Sequence, residues 1–245
     1  MRRNKITWHA LRSVAVFGFL AASLMAQAAD DTAVQTNLVA NGGFEVADSA
    51  DPRRPTAWDL PDGLGVQWAS GEKSSGRAIW LDTRISEVNM VRQWQTLGLT
   101  NIWNIPKPAP NAIADTYGLS FYSAPFAVAS GCVYRVRCDT YGAGGVKVWV
   151  RGYGMFRGRL TKRYEAMMNC NGRAGEWTPQ AMEFNPTRHR PEVTEMRVML
   201  YAYYPPRRYG FDNVVVEPVL PADSGDEALA KPTPRAVGVA PDPCP

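Results

Sequence analysis

Residues 210–218, GFDNVVVEP, contain the pattern that decides the fold. Three consecutive valines favour an extended strand, because β-branched side chains pack well on a pleated surface. A glycine precedes the run and a proline ends it, and proline cannot donate the next hydrogen bond of a sheet. Short apolar runs bounded in this way are typical of buried strands. We therefore predict a buried strand here, with Asp212 at its head.

Residues 37–45, NLVANGGFE, are the expected counterpart of this closing strand. Their apolar residues predict a first strand over 38–44, and the Asn-Gly-Gly step within it predicts a bend or bulge. Other short stretches alternate apolar and polar residues, as at 132–138 and 197–203. Many short strands separated by glycine and proline turns predict an all-β sandwich.

The two terminal motifs, NLVxNGGFE and FDNVVVEP, together resemble the family 4/9-type carbohydrate-binding modules. The stretches SSGRAIWLD at 74–82, GCVYR at 131–135 and GEW at 175–177 are similar to later strands of that family, in the same order. The resemblance covers residues 37–218, with 84–117 as the main departure. It implies a jelly-roll β-sandwich of the galactose-binding-like type that binds carbohydrate without catalysis.

The first 28 residues have the pattern of an export signal. A basic head containing Arg2, Arg3 and Lys5 precedes an apolar run, and Ala-Gln-Ala then supplies a cleavage site. The apolar run is short for a transmembrane helix. We therefore predict a secreted protein (periplasmic, cell-surface or extracellular) whose mature chain starts near Ala29 and has no transmembrane segment.

The 245 residues suit one domain with additions, and we predict a β-sandwich domain over 29–218. Residues 84–117 contain several prolines, which lack ladder donors, and are predicted to be an inserted loop. Loops of that length usually serve a function. Residues 219–245 are rich in proline and alanine and lack periodicity, which predicts a disordered tail.

The net charge gives no support to nucleic-acid binding. The chain has 27 Lys and Arg against 23 Asp and Glu, a formal charge of +4. Four of the basic residues (Arg2, Arg3, Lys5 and Arg12) and no acidic residue belong to the export signal, so the mature chain is neutral. Nucleic-acid-binding domains instead carry a marked basic excess.

Four cysteines in an exported chain suggest disulfides. Cys132 and Cys138 are too far apart along one strand to bridge each other. Either of them paired with Cys170 is the expected bridge, and Cys244 lies in the tail. Buried free thiols are the alternative.

The sequence contains no recognisable catalytic motif. The mature chain retains one histidine, His189, which lies in a predicted loop between two arginines. No nucleophile elbow, zinc-ligand spacing or phosphate-binding loop is present, and the acidic residues suggest no catalytic pair. Residues 152–159, rich in glycine and arginine, are predicted to be a loop. The chain is therefore not predicted to be an enzyme.

A structural calcium ion is implied by the resemblance, because relatives often hold one between the first and last strands. Glu45 and Asp212 occupy the matching positions in the two terminal motifs. Calcium prefers carboxylate and carbonyl oxygens, which the end of a sandwich can supply. The alternative is that Asp212 caps a turn and that Glu45 pairs with an arginine.

Aromatic and arginine side chains share the polar face of two predicted strands, at 146–153 and 197–203. If these strands are neighbours, such side chains would line a groove suited to a polysaccharide or other glycan. Alternatively, they pack under 84–117, or the fold serves a structural or adhesion protein of the cell envelope. The predicted carbohydrate-binding residues are Trp149, Arg151, Tyr153, Arg197, Tyr201 and Tyr203.

Overall fold

The computed structural model describes residues 37–71, 73, 76–99, 105 and 107–219, which form ten β-strands and one α-helix. The predicted export signal and most of the predicted tail lie outside these residues. Within them, no helix is long and apolar enough to cross a membrane. In chain order the elements are β1 (Val66–Ser70), β2 (Arg77–Asp82), α1 (Glu87–Thr96), β3 (Leu119–Tyr122), β4 (Phe126–Ala127), β5 (Tyr134–Tyr141), β6 (Val146–Phe156), β7 (Arg159–Cys170), β8 (Trp177–Phe184), β9 (Val193–Ala202) and β10 (Arg208–Pro218).

The strands form two antiparallel sheets of five strands each, which confirms the predicted all-β sandwich. The first sheet has the order β1-β2-β10-β5-β8, and the second has β3-β9-β6-β7 with β4 also paired to β9. Leaving aside β1 and β4, the four strands β2-β10-β5-β8 of one sheet face the four strands β3-β9-β6-β7 of the other. This order is that of an eight-stranded jelly roll, as predicted.

The core lies between the sheets and is filled from alternate positions of each strand. In β6 the three valines Val146, Val148 and Val150 point inward, at 2% exposure or less. In β10, Phe211, Val214 and Val216 are fully buried. The predicted valine strand is therefore present. A bulge between Asp212 and Val215 lets its inward positions skip one residue.

The predicted first strand over 38–44 is wrong, because this segment forms turns. It nevertheless lies along β10, where the amide of Leu38 donates to the carbonyl of Val216 at 2.8 Å. Asn41 and Phe44 adopt left-handed backbone angles, with φ of 51° and 58°, which breaks the extended conformation. Gly42 permits the close approach, since a Cβ there would lie 1.8 Å from the carbonyl oxygen of Val214.

The predicted inserted loop at 84–117 contains the helix α1 and a short 3₁₀ turn, Ile113–Asp115. Ser86 caps α1, because its hydroxyl accepts a hydrogen bond from the amide of Asn89. Met90 is fully buried against the core, and the carboxylate of Glu87 accepts a hydrogen bond from the amide of Ala109. The segment is thus folded onto the sandwich at its described positions.

The expected disulfide is absent from the structure, since Cys132, Cys138 and Cys170 are free thiols. Cys138 and Cys170 enter the core from opposite sheets, and their sulfur atoms are directed towards backbone carbonyls at 3.4–3.7 Å. Burial raises the pKa of Cys170 to about 12, and it raises the pKa of Cys138 well above its ordinary value. The remaining cysteine, Cys244, lies outside the described residues.

Candidate functional site

The strands β6 and β9 are direct neighbours in the second sheet. Their register pairs Trp149 with Met199, Arg151 with Arg197, and Lys147 with Tyr201. Paired residues of an antiparallel ladder share a face. Because the valines of β6 point inward, these side chains cover the outer face of the sheet, as does Tyr153 one pair further along the strand. Tyr203 follows Tyr201 on the same side.

We call this outer face the platform, and its aromatic side chains are half-buried. Tyr201 and Tyr203 stack on each other, with ring centroids 5.7 Å apart and planes inclined by 28°. The Tyr201 hydroxyl donates to the carbonyl of Tyr117 at 2.7 Å, which attaches this end of the platform to the inserted segment. Lys147 lies over two rings, with its Nζ 5.3 Å from the Tyr203 ring and 5.9 Å from the Trp149 ring.

Arg151 is held in place at the centre of the platform. Its Nη1 donates to the Tyr122 hydroxyl at 2.7 Å, and its guanidinium carbon lies 5.8 Å from the Trp149 ring. Its Nε approaches Glu165 Oε2 at 2.7 Å, an ion pair whose angle falls outside hydrogen-bond alignment. These contacts fix the orientation of the guanidinium, so little rotamer entropy remains to be lost when a ligand binds.

Arg197 occupies the neighbouring position and connects the platform to the segment after Trp58. Its Nε donates to the carbonyl of Ser123 at 2.7 Å, and its Nη2 donates to Asp59 Oδ1 at 3.1 Å. The surrounding protein desolvates Asp59 and raises the pKa of its carboxyl, although Arg197 acts in the opposite direction. The Asp59 side chain nevertheless keeps 47% of its surface exposed, so it is available to a ligand.

A cleft of about 550 Å³ lies beside β3 and shares Tyr122 and Arg197 with the platform. Asp62 belongs to its wall and has a structural role. Its Oδ1 accepts from the amides of Leu64 and Val66, and its Oδ2 accepts from the indole of Trp94 at 3.3 Å. Burial raises the pKa of Asp62. The further lining residues are Arg54, Asp59, Leu60, Val66, Leu99, Ile113, Tyr117, Gly118, Leu119, Ser120 and Phe121.

The structure brings together Trp149, Arg151 and Arg197, with the Tyr201–Tyr203 pair at one end of the platform. Tyr153 lies at the other end, opposite Glu195 and next to a bulge, and is farther from the cleft. Tyr122 and Asp59 also lie at this site and were not among the predicted residues. Tyr122 could have been predicted, because alternate residues of β3 point away from the core. Asp59 could not, because it is 138 positions from Arg197 and no local sequence pattern connects the two.

Glu45 and Asp212, the predicted calcium ligands, lie near enough that the charge of Glu45 acts on Asp212. Glu45 Oε1 accepts a hydrogen bond from the amide of Arg77 at 3.1 Å. Asp212 lies on β10, which pairs with β2. Burial raises the pKa of Asp212 to about 6, and the negative charges of Glu45 and Asp139 add to the rise. The described residues contain no group of three or more His, Cys, Asp or Glu side chains placed to hold a metal.

No protein-family model matches the chain, and no curated protein matches it. Among solved structures, a family 16 carbohydrate-binding module is 13% identical, with a TM-score of 0.43, and the match covers 74% of this chain and 99% of the module. TmCBM61, solved in complex with β-1,4-galactotriose, is 14% identical, with a TM-score of 0.39, over 75% of this chain and 99% of that one.

The enzymatically active domain of tailspike protein 4 from bacteriophage CBA120 is 9% identical to this chain, with a TM-score of 0.46. The match covers 75% of this chain, which spans only 21% of the tailspike chain. With TM-scores this low, none of these structures assigns the chain to a family or to a ligand.

Proposed function

We propose that this chain is an exported protein that binds carbohydrate on the platform and in the adjoining cleft without cleaving it. The observation that carries the proposal is the pairing of β6 with β9, which places Trp149, Arg151, Arg197 and Tyr201 on one face of the sheet. The cleft volume of about 550 Å³ is within the usual range for small-ligand sites. Tyr153 and Tyr203 extend the same face at its two ends.

The chemistry of these residues suits a sugar chain. Aromatic rings such as Trp149 offer an apolar surface to the C–H face of a pyranose ring and keep a polar group at their edge. The guanidinium groups of Arg151 and Arg197 donate to hydroxyl oxygens, and the exposed Asp59 carboxylate accepts from hydroxyl groups. Charged hydrogen bonds of this kind select the positions of hydroxyls, while the rings supply contact area.

The test is binding of the purified chain to a panel of soluble and insoluble polysaccharides, by affinity electrophoresis and by pull-down. We expect binding that Trp149→Ala and Arg197→Gln each reduce by at least about tenfold, as for residues at the centre of an interface. Trp177→Ala is the matched control, because Trp177 is a half-buried aromatic residue on the outer face of the other sheet. Thermal unfolding establishes that each variant is folded.

A structural or adhesion protein of the cell envelope is the second candidate function. It is favoured by the internal pairing on the platform, where Arg151 contacts Glu165 and Arg197 contacts Asp59. Because these charged side chains are already paired with each other, the surface could be buried against another protein without leaving unpaired charges. Failure of the folded chain to bind any polysaccharide in the panel would contradict the carbohydrate proposal and favour this one.

We also propose that a calcium ion stabilises the fold, with the carboxylates of Glu45 and Asp212 as ligands. The support is that Glu45 accepts a hydrogen bond from the first amide of β2, that Asp212 lies on the strand paired with β2, and that the charge of Glu45 helps to raise the pKa of Asp212. Carboxylates and backbone carbonyls are the ligands that calcium prefers. When bound, the ion would neutralise the two carboxylates and connect the two terminal motifs.

A further inference from the structure

The hairpin formed by β6 and β7 extends beyond the end of the second sheet. The last residue of β6 that pairs with β9 is Gly154, opposite Val193. Beyond it, Met155 pairs with Leu160 and Phe156 with Arg159, both within the hairpin. Residues 152–159, predicted to be a loop, are thus mainly strand. At about 3.4 Å per residue, the tip projects roughly 7 Å past β9.

The projecting tip exposes three large apolar side chains. Met155 is 59% exposed, Leu160 is 53% exposed and Phe156 is 41% exposed. Elsewhere in the described parts of the chain, only Val46 and Tyr204 are large apolar residues with comparable exposure. Exposed apolar residues scattered singly need no explanation, but three neighbours at the end of one hairpin mark a contact surface.

Exposed arginines surround these apolar side chains, and Arg157 lies over the Phe156 ring, with its guanidinium carbon 5.2 Å from the ring centroid. Arg157 lies in the turn of the hairpin, Arg159 begins β7, and both are exposed. The loop before β9 adds Arg188 and Arg190, on either side of His189 and also exposed. This loop lies at the same end of the sandwich, because Glu192 at its end forms an ion pair at 2.8 Å with Arg163 of β7.

The positive charge of this end is compensated only in part, since the charge of Arg190 contributes to lowering the pKa of Glu192 after the larger effect of Arg163. Within the described residues, none of the four arginines just named takes part in an ion pair within 4.0 Å. The nearby acidic side chains have other partners. Glu192 pairs with Arg163, and Glu165 pairs with both Arg151 and Lys162.

We propose that this end, which we call the cationic tip (residues 155–160 with 188–190), binds an anionic lipid surface. Apolar side chains at the end of a hairpin can enter the boundary between headgroups and acyl chains, while flanking arginines contact lipid phosphates. Binding of a soluble polyanion would need only the arginines. The three exposed apolar side chains favour a lipid surface, because they gain by leaving water. This binding is separate from the platform and does not depend on its ligand.

The first experiment is co-sedimentation of the chain with vesicles of phosphatidylcholine alone and of a phosphatidylcholine–phosphatidylglycerol mixture, at low and high sodium chloride. We expect binding to the anionic vesicles only, weakening as salt rises. Each arginine near such a surface contributes about fivefold in affinity, so Arg157→Gln with Arg159→Gln should weaken binding by roughly 25-fold. The matched control is Arg173→Gln, which neutralises an exposed arginine in the turn before β8.

The apolar contribution is tested by a triple variant, Met155→Ser with Phe156→Ser and Leu160→Ser. Loss of vesicle binding with an unchanged melting temperature supports insertion of the tip, and Val46→Ser is the control for an equally exposed apolar residue. Phe156→Trp provides a separate signal, since its fluorescence should shift to the blue on anionic vesicles alone. Absence of binding to anionic vesicles overturns the proposal. Vesicle binding that survives the triple serine change also overturns it, and indicates a polyanion site instead.

Discussion

The two sheets both carry aromatic residues on their outer faces, but the two faces differ in how those residues pack. On the first sheet, Trp80, Tyr141 and Trp177 lie in one row across β2, β10, β5 and β8, with ring centroids 5.5–5.7 Å apart. Gly210 occupies the fourth position of that row. A Cβ there would lie 2.9–3.0 Å from Trp177, Trp80 and Tyr141, so the glycine lets the rings close over the strand.

On the second sheet the aromatic residues alternate with charged ones. Trp149 lies between Lys147 and Arg151, and Tyr122 contacts both Arg151 and Arg197. The rings of the second sheet stay half-buried. On the first sheet Tyr141 and Trp177 are half-buried as well, but together they cover Trp80, which is 1% exposed. Aromatic composition is therefore a poor guide to a binding face. A ring covered by other rings, such as Trp80, stabilises the fold, whereas a half-buried ring flanked by charged side chains, such as Trp149, can still contact a ligand.

The largest expected difference between the two faces is the loss of stability when one aromatic residue on each is truncated. Trp80→Ala should lower the free energy of unfolding by about 3–5 kcal/mol, the usual cost of removing a buried tryptophan. Trp149→Ala should cost less than about 1.5 kcal/mol. Its Nε1 is buried and has no hydrogen-bond partner among the described residues, and removing an unsatisfied donor offsets part of the lost packing. Urea unfolding of both variants measures the difference.

The same pair of variants should differ in the opposite direction in carbohydrate binding. Trp149→Ala should lose binding, and Trp80→Ala, assayed at a temperature where it is folded, should retain it. Equal destabilisation by the two changes would mean that the second face is as closed as the first.

Asp212 lies on the first sheet, so its substitution should change the stability of the fold and leave carbohydrate binding unchanged. Its folded pKa of about 6 exceeds the ordinary value of 3.8. The native state therefore binds more protons between these values, and stability falls as pH rises through that window. Asp212→Asn should raise the free energy of unfolding at pH 7 in chelator by up to about 3 kcal/mol, with no gain well below pH 4.

Bound calcium should reverse the order of stability of the wild-type chain and Asp212→Asn. A bound cation favours the ionised carboxylate and inverts the local pKa effect. In calcium the wild-type chain should become the more stable of the two, and Asp212→Asn should gain little from the ion. Melting curves with calcium and with chelator provide the measurement. An identical calcium response in both proteins would rule out Asp212 as a ligand.

A smaller effect is expected from the helix that borders the cleft. Ser86→Ala removes the hydroxyl that caps α1 and should cost about 1 kcal/mol of stability, whereas Ser86→Thr keeps the cap and should cost less. Carbohydrate affinity of the folded chain should be unchanged, because Ser86 is not a lining residue of the cleft. A parallel fall in affinity would show that the cap positions the binding surface.

A feature of the fold or of the site could be predicted from the sequence when the residues that define it are close together along the chain. The alternation in β6 and β9 is local, with a period of two residues, so the faces of Trp149 and Arg197 could be predicted from the sequence. The pairing of β6 with β9 depends on the topology of the whole sandwich. From the sequence it could only be assumed, not predicted. The turns at 38–44 were missed because the left-handed angles of Asn41 and Phe44 override an apolar pattern.

The helix α1 was missed although Ser86 and Asn89 stand at capping distance. Its apolar face is short, with Met90 in the core and Trp94 packed against it. Part of its support comes from distant contacts, such as that between Glu87 and Ala109, 22 positions away. The cleft depends on contacts over still longer distances. Asp59, Tyr122 and Arg197 meet only after the jelly roll has closed.

Asp59 provides the smallest and most specific test of the open face. Its ion pair with Arg197 is partly exposed, with 30% and 47% of the two side chains accessible, and such pairs contribute about 0.2–1 kcal/mol. Asp59→Asn removes the charge that would accept a hydrogen bond from a ligand hydroxyl, a contact worth about 1 kcal/mol, and should weaken carbohydrate binding by up to about fivefold at neutral pH. The pKa of Asp59 lies above the ordinary value of 3.8, so its carboxylate protonates at a higher pH than that of a free aspartate.

The ratio of wild-type to Asp59→Asn affinity should consequently fall towards one as the pH is lowered through that raised pKa. Titration calorimetry from neutral pH to pH 4 measures this ratio. The matched control is Asp51→Asn, because hydrogen bonds from Arg53 lower the pKa of Asp51 to about 2, and Asp51 stays ionised throughout the range. A ratio that does not change with pH would mean that the Asp59 carboxylate does not contact the ligand, and the binding surface would then be limited to the aromatic residues and arginines of the platform.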